Sequence, residues 1–135
     1  MQQFKIKRIL FFTVILLIFT LILIYTFKRE HYQIVDYQIE GKNYRLLLAD
    51  TPKKWSKGLM YKRKLTNADG MLFVFPDKRK PTFYNKNTYL DLDVYWIDGS
   101  SIIAKHYLAS IEKTKIIVYI EAPTFVDKVA EIVKK

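Results

Sequence analysis

Residues 89–97 read YLDLDVYWI, and this stretch decides the fold class. Apolar side chains recur at every second position, which is the period of a β-strand and not that of a helix. One face is wholly apolar and comprises Leu90, Leu92, Val94 and Trp96; the other carries Tyr89, Asp91, Asp93 and Tyr95. The stretch therefore predicts a strand that packs one face against a core.

The segments on either side of this strand also favour β structure. Downstream, Asp98-Gly99-Ser100 predicts a turn into a strand over residues 101–107, and residues 114–120 predict another strand of β-branched character. Upstream, residues 71–75 form a continuous apolar run that is typical of a buried strand. Residues 76–81, which begin and end with proline, predict a loop.

A β-hairpin and a short helix are predicted nearer the N-terminus. Residues 31–37 indicate a linker that merges into a first strand, and residues 44–49 form the returning strand after a turn at residues 40–43. Thr51 then suits a helix N-cap and Pro52 the first helical position. We expect that helix to continue to about Met60.

The C-terminal segment has a pattern that predicts a second short helix. Thr124 and Asp127 resemble a capping box, and an apolar stripe follows at helical spacing. The stripe comprises Phe125, Val129, Ile132 and Val133. The expected fold is mainly β, with six or seven strands, two short helices and one membrane helix before them.

Residues 9–27 form the most apolar stretch of the chain and predict a transmembrane helix. They contain no charge, proline or glycine, and such a helix spans about 28 Å, close to the thickness of a hydrocarbon core. No small-residue cleavage site follows, which favours an uncleaved signal anchor over a signal peptide. The predicted organisation is a basic N-terminus (1–8), an anchor (9–27), a linker (28–36) and an exported domain (37–135).

Charges beside the anchor indicate its orientation. Lys5, Lys7 and Arg8 precede it, whereas Lys28 and Arg29 follow it beside an acidic residue. This bias favours an N-terminus in the cytoplasm and a domain outside the cytoplasmic membrane. We therefore expect a single-pass protein of the cell membrane.

The overall charge is strongly positive, which indicates the kind of binding partner that the protein can attract. The 135 residues carry a formal charge of +10, and the three basic residues before the anchor account for +3, which leaves about +7 for the rest. A basic domain beside a membrane can attract anionic lipid, an acidic wall polymer or a membrane protein, whereas nucleic acid is a less suitable partner. Charge dispersed only for solubility is the alternative. The oligomeric state stays open.

Four short blocks carry a family resemblance. They are Ala49-Asp50-Thr51-Pro52, Gly58-Leu59-Met60, Asp69-Gly70-Met71-Leu72-Phe73 and Phe83-Tyr84-Asn85-Lys86-Asn87-Thr88. Their order and spacing resemble the bacterial and archaeal domain of unknown function 192 family, over about Tyr37 to Lys128. The resemblance implies a small β-sandwich or open, jelly-roll-like barrel, often exported, and no assigned activity. The family usually has Trp-Met where this chain has Tyr84-Asn85.

Motifs for cofactors and metals are not apparent. The chain contains no cysteine and two histidines that lie 75 positions apart, so a thiolate or histidine metal site is not expected. Four glycines form no phosphate-binding loop. Asp91 and Asp93 could begin a calcium site or a carboxylate pair, although an aspartate bonded to backbone at a strand end is the simpler interpretation. No cofactor is predicted.

One polar cluster is the candidate site. Lys86, Asn87 and Thr88 lie between two apolar strands, where their polar groups need partners. In a structural interpretation Lys86 pairs with Asp93 or Glu121, and Asn87 bonds to loop backbone. In a functional interpretation the triplet binds a small anion or peptide, and the site walls are Tyr84 and Met60.

Three functions remain open on the sequence. The first is a non-enzymatic module that binds a ligand or protein. The second is a hydrolase or transferase in which Asp93 or Glu121 acts as acid or base, assisted by Lys86. The third is a structural role at an anionic membrane or wall surface. A concave site with a lysine and a carboxylate together would favour ligand chemistry.

Overall fold

The structure, a computed structural model, describes residues 1–26 and 31–135. It divides into two units, residues 1–31 and 32–135. The helices are α1 (Gln2–Thr26), α2 (Pro52–Lys57) and α3 (Ile111–Thr114). The strands are β1 (Ile34–Ile39), β2 (Lys42–Ala49), β3 (Gly70–Arg79), β4 (Thr82–Tyr84), β5 (Leu92–Asp98), β6 (Ser101–Leu108), β7 (Tyr119–Glu121) and β8 (Val126–Val133).

The N-terminal unit contains helix α1. Within the described residues, only this helix is long and apolar enough to span a membrane. The hydroxyls of Thr13 and Thr20 donate to the carbonyls of Leu10 and Leu17, each at 2.8 Å, so both of these groups are satisfied inside the helix, as a lipid environment requires. Residues 27–30, which include the predicted end of the anchor and the start of the linker, lie outside the described residues.

The predicted N-terminal hairpin and helix are confirmed. β1 and β2 pair antiparallel across Glu40 and Gly41, whose φ values of 50° and 77° are those of the tight turn that suits two twisted strands. In α2 the Thr51 side chain accepts a hydrogen bond from the Lys54 amide. The helix ends at Lys57, earlier than expected, because Gly58 takes a positive φ and closes it.

Six strands form one open, mixed sheet in the order β1-β2-β3-β8-β5-β6. Only β2 and β3 run parallel; the other neighbours in the sheet are antiparallel. A second sheet contains β4 and β7. The mainly β fold is therefore confirmed. The described residues contain eight strands rather than six or seven, and the sheet is open, not a closed barrel.

Both faces of the large sheet carry a core. The larger core contains Phe73, Val94, Trp96 and Val129, and residues of the small sheet such as Phe83 pack against it. The smaller core, on the opposite face, includes Ile39, Leu46, Leu72, Tyr95 and Ile132. The predicted alternation along β5 is confirmed, since Leu92, Val94 and Trp96 all belong to the larger core.

The prediction of a C-terminal helix is wrong. Residues 126–133 form β8, which lies between β3 and β5 in the middle of the sheet. Val126 and Val129 are fully buried on one face, and Ala130 is fully buried on the other. A strand that is covered on both faces has no simple alternation, so its apolar residues also matched a helical stripe.

Smaller differences concern two loops. β3 continues through Pro76 to Arg79 with an irregular register after Val74, so most of the predicted loop at 76–81 is strand. A proline is tolerated there because the irregular region lacks regular ladder bonds. The predicted strand at 114–120 is reduced to β7, and α3, which the sequence did not predict, precedes it.

Candidate functional site

A single glutamate, Glu131, lies in the larger core. It is on the central strand β8, directly opposite Met71 of β3 and Val94 of β5. Along β8 its neighbours on the same face are Val129 and Val133. An acidic side chain is thus surrounded in the sheet by apolar ones.

The carboxyl group of Glu131 has no partner in the described part of the chain. The residue is 5% exposed, and none of the hydrogen bonds or ion pairs of those residues involves its side chain. Burial alone raises the pKa of Glu131 to about 8. At neutral pH the folded protein therefore holds this group mainly as the uncharged acid.

Glu131 opens into a cavity of about 130 Å³. The other walls come from α2 with the turn after it, from β3, and from the segment around β4. Five of the fourteen lining residues are aromatic: Trp55, Phe73, Phe75, Phe83 and Tyr84. A cavity with aromatic walls and a few polar groups, one of them a carboxyl group, has the composition of a small-molecule site.

Packing and hydrogen bonding hold the aromatic walls in place. The Phe83 ring meets Phe73 and Trp96 edge-on, with centroids 4.8 and 5.6 Å apart. The Trp55 ring meets Phe75 at 5.2 Å, and its Nε1 donates to the Ala49 carbonyl at 2.9 Å. Since these rings are fixed by neighbours of their own, the cavity is largely preformed.

Residues 35–134 match the DUF192 family, described as "Uncharacterized ACR, COG1430". The chain belongs to the DUF192 family. The match includes every strand of the large sheet except the first residue of β1, and it confirms the resemblance seen in the sequence. The family description assigns no activity to this DUF192 domain.

Two solved structures share the DUF192 fold described above. One, from Sinorhizobium meliloti 1021, is described as a "putative transcription regulator"; it is 28% identical, with a TM-score of 0.61 over 78% of this chain and 84% of that one. The other, a protein of unknown function from Novosphingobium aromaticivorans DSM 12444, is 21% identical, with a TM-score of 0.50 over 77% and 83%. No curated protein matches the chain.

Three of the predicted site residues line the cavity of this DUF192 domain. Met60, Tyr84 and Thr88 all contribute to its walls. Thr88 is 4% exposed and its hydroxyl donates to the Lys86 carbonyl at 3.2 Å. The expected wall residues are thus placed together, but around Glu131 and not around Lys86.

Lys86 and Asn87 lie outside the cavity. Lys86 is exposed, and no described residue forms an ion pair with it. The Asn87 side chain donates to the Tyr61 hydroxyl at 2.8 Å, and its carbonyl accepts from the Tyr61 amide at 2.8 Å. The expected bond to loop backbone is therefore made by the main chain of Asn87, whereas its side chain bonds another side chain.

The predicted pairing of Lys86 with Asp93 or Glu121 is wrong. Asp93 lies on the opposite face of the large sheet and pairs with Lys105 at 3.0 Å. Glu121 is on β7, 4.0 Å from Lys80. Both carboxylates have other lysine neighbours, which the sequence could not indicate because the strand register was not known.

Two other polar residues have structural roles. The Asp91 carboxylate accepts from the Ser110 amide at 2.9 Å and pairs with Lys113, so the simpler interpretation of Asp91 is confirmed. Asn85 is completely buried; its side chain donates to the Ala109 carbonyl and accepts from the Val118 amide. These bonds tie β4 to the segment before β7. The described residues contain no group of three potential metal ligands.

Sequence reasoning missed Glu131, although a signal was present. The glutamate interrupts an apolar run, Val129-Ala130-Glu131-Ile132-Val133. In a helix this charge lies on a solvated face, but in a strand covered on both sides it has to be buried. The incorrect helix prediction therefore hid the site.

Replacing Glu131 with Gln is expected to stabilise the folded protein at neutral pH. The unfolded chain ionises Glu131 above about pH 4.5, whereas the folded chain keeps it protonated until about pH 8. Stability should therefore fall as pH rises between these values. Glu131→Gln removes this loss, on the order of 3 kcal/mol at pH 7.

Chemical denaturation at pH 5 and pH 7 measures this effect. The stability difference between Glu131→Gln and the parent should be small at pH 5 and grow towards pH 7. Glu121→Gln, a change at an exposed position, is the matched control and should leave the pH profile unchanged. An equal gain at both pH values would contradict a buried, unpaired Glu131.

Proposed function

We propose that this protein is a membrane-anchored, non-enzymatic module that binds a small ligand in the Glu131 cavity. One observation carries the proposal: a buried carboxyl group without a protein partner opens into a preformed aromatic cavity. Such a group costs the fold free energy, and sites that destabilise a fold are commonly retained for function. A ligand that satisfies the carboxyl group would recover that cost.

The arrangement supports binding over the hydrolase or transferase alternative. That alternative requires a lysine beside a carboxylate, with Lys86 assisting Asp93 or Glu121. Lys86 is exposed without an ionic partner among the described residues, and Asp93 pairs with Lys105 on the other face of the sheet. Five of the fourteen residues that line the cavity are aromatic, and their rings provide contact surface for a ligand.

The proposed location is the outer face of the cytoplasmic membrane. Helix α1 supplies a span of sufficient length, and the basic residues before it favour a cytoplasmic N-terminus. The positive charge of the domain supports attraction to anionic headgroups nearby.

The protein is expected to remain in the membrane fraction after alkaline carbonate washing. Protease added to spheroplasts should remove the C-terminal domain, because that domain faces out in the proposed orientation. Immunoblots against each end of the chain measure both results. Release of a soluble, shortened species would indicate that α1 is a cleaved signal.

Ligand binding is tested with the full-length chain in lipid nanodiscs. A library of small fragments is screened by two-dimensional NMR, with the indole signal of Trp55 as reporter because this ring lines the cavity. We expect some fragments to shift this signal. The same fragments should no longer shift it in Met60→Trp, because the indole ring, which is larger than the methionine side chain, fills the cavity. A screen in which no fragment moves the Trp55 signal would contradict a ligand site.

A further inference from the structure

We infer that the Glu131 cavity takes a small organic cation, namely a primary ammonium group on a short apolar stem, whose charge pairs with the Glu131 carboxylate. This inference rests on the proposed function and names the ligand class of the same site. It draws on the size, charge and lining of the cavity, which are independent features of the structure.

The size of the cavity limits the ligand. A volume of about 130 Å³ is comparable to that of cavities that hold a benzene molecule, which are about 150 Å³. The ligand portion inside the cavity therefore has roughly five or six non-hydrogen atoms. A four-carbon amine meets this limit.

The acidic group of the cavity favours a cation as the ligand. Glu131 is the one acidic group of the lining, and the other titratable residues of the lining are Lys57 and Tyr84. Burial alone, without a contribution from Lys57, accounts for the raised pKa of Glu131. An ammonium group would supply the missing opposite charge, whereas an anion would face an ionisable acid inside an apolar wall.

The aromatic lining favours the same ligand. Ring faces carry partial negative charge and attract cations. Two of the lining rings already do so within the fold, since the Arg79 guanidinium lies 5.1 Å from the Trp55 centroid and 5.0 Å from that of Phe75. Phe73, Phe83 and Tyr84 provide further aromatic surface around the acid.

Binding is coupled to loss of one proton. Below pH 8 the empty cavity holds the neutral acid, and the arriving ammonium ion pairs with a carboxylate, so the Glu131 proton is released to solvent. The ligand keeps its own proton, so the O–H bond of the Glu131 carboxyl group is the only covalent bond that breaks. Affinity should consequently rise about tenfold from pH 6 to 7 and about fivefold from pH 7 to 8, and level off above that.

The experiment is an NMR titration of the full-length chain in nanodiscs with three ligands of similar size: n-butylamine, n-butanol and butyrate. The Trp55 indole signal reports binding at pH 6, 7 and 8. We expect n-butylamine to bind with a Kd of about 1 mM at pH 8, and about 50-fold more weakly at pH 6. Glu131→Gln should weaken amine binding about 30-fold or more, and Glu121→Gln should not.

The outcomes test the ammonium ligand class separately from the proposed ligand site. If n-butanol or butyrate binds in the cavity and n-butylamine does not, the cation inference is wrong and the ligand site stands. If none of the three shifts the Trp55 signal, the inference is overturned together with the site. Amine binding without the pH dependence, or unchanged in Glu131→Gln, also overturns the pairing. Nα-acetyl-lysine methylamide then distinguishes a lysine side chain of a peptide from a free amine; binding of either supports the ammonium class.

Discussion

A chain that ends at Phe125 is expected to lose the folded β domain entirely. This truncation removes β8, which lies between β3 and β5, so both neighbours lose their ladder and the sheet divides in two. It also removes Val126, Val129 and Ala130, which are fully buried. The loss exceeds the whole stability of an ordinary domain, about 5–15 kcal/mol.

Circular dichroism and amide NMR dispersion of the truncated chain measure this result. The control is a chain that ends at Lys134, which lacks only Lys135. That side chain is 89% exposed and lies 3.5 Å from Asp69, so the control should lose less than about 1 kcal/mol. If the chain that ends at Phe125 still unfolded cooperatively, residues 126–133 would be dispensable for folding, as a peripheral C-terminal helix would be and a central strand would not.

Gly70→Ala is expected to destabilise the domain severely. A Cβ atom at this position would lie 1.9 Å from the backbone oxygen of Glu131 and 3.0 Å from the Ile132 Cα. Backbone atoms in the middle of a sheet cannot move aside without breaking the β3-β8 ladder. The expected cost is about 5 kcal/mol, at the upper end for one substitution.

Urea denaturation of Gly70→Ala and Gly41→Ala measures the free energy of unfolding of each variant. The comparison separates a steric clash between neighbouring strands, at Gly70, from strain of the backbone conformation, at Gly41. Gly41 has a positive φ of 77°, but a Cβ there meets nothing within 4 Å. Its replacement should cost about 1 kcal/mol from the left-handed conformation alone. Equal costs at the two positions would mean that β3 and β8 do not approach as closely as the structure indicates.

Local signals in the sequence were sufficient for much of the fold. The alternation along β5 and the Thr51-Pro52 helix start depend on neighbouring residues only, and both are confirmed. The sequence did not predict β8 as a strand, because its burial on both faces removes the alternation on which strand prediction depends. Its central place follows from pairing with β3 and β5, which are distant in the sequence.

The residues of the candidate site also divide into those that the sequence could predict and those that depend on long-range pairing. Met60 and Tyr84 could be named in advance as walls and Thr88 as a polar member of the site, and all three line the cavity. Glu131 could not, because its burial depends on a strand placed by long-range pairing. The partner of Asp93 was also unpredictable, since Lys105 approaches it only once β5 and β6 have paired in their observed register.

The position of β8 has a consequence for biogenesis. The ribosome makes this strand after every other strand of the sheet, yet it occupies the centre. Until it emerges, β3 and β5 present unpaired edges that can aggregate or be degraded. If the domain is exported as proposed, this interval extends through translocation, and we expect the nascent domain to need a chaperone that shields strand edges until β8 has crossed the membrane.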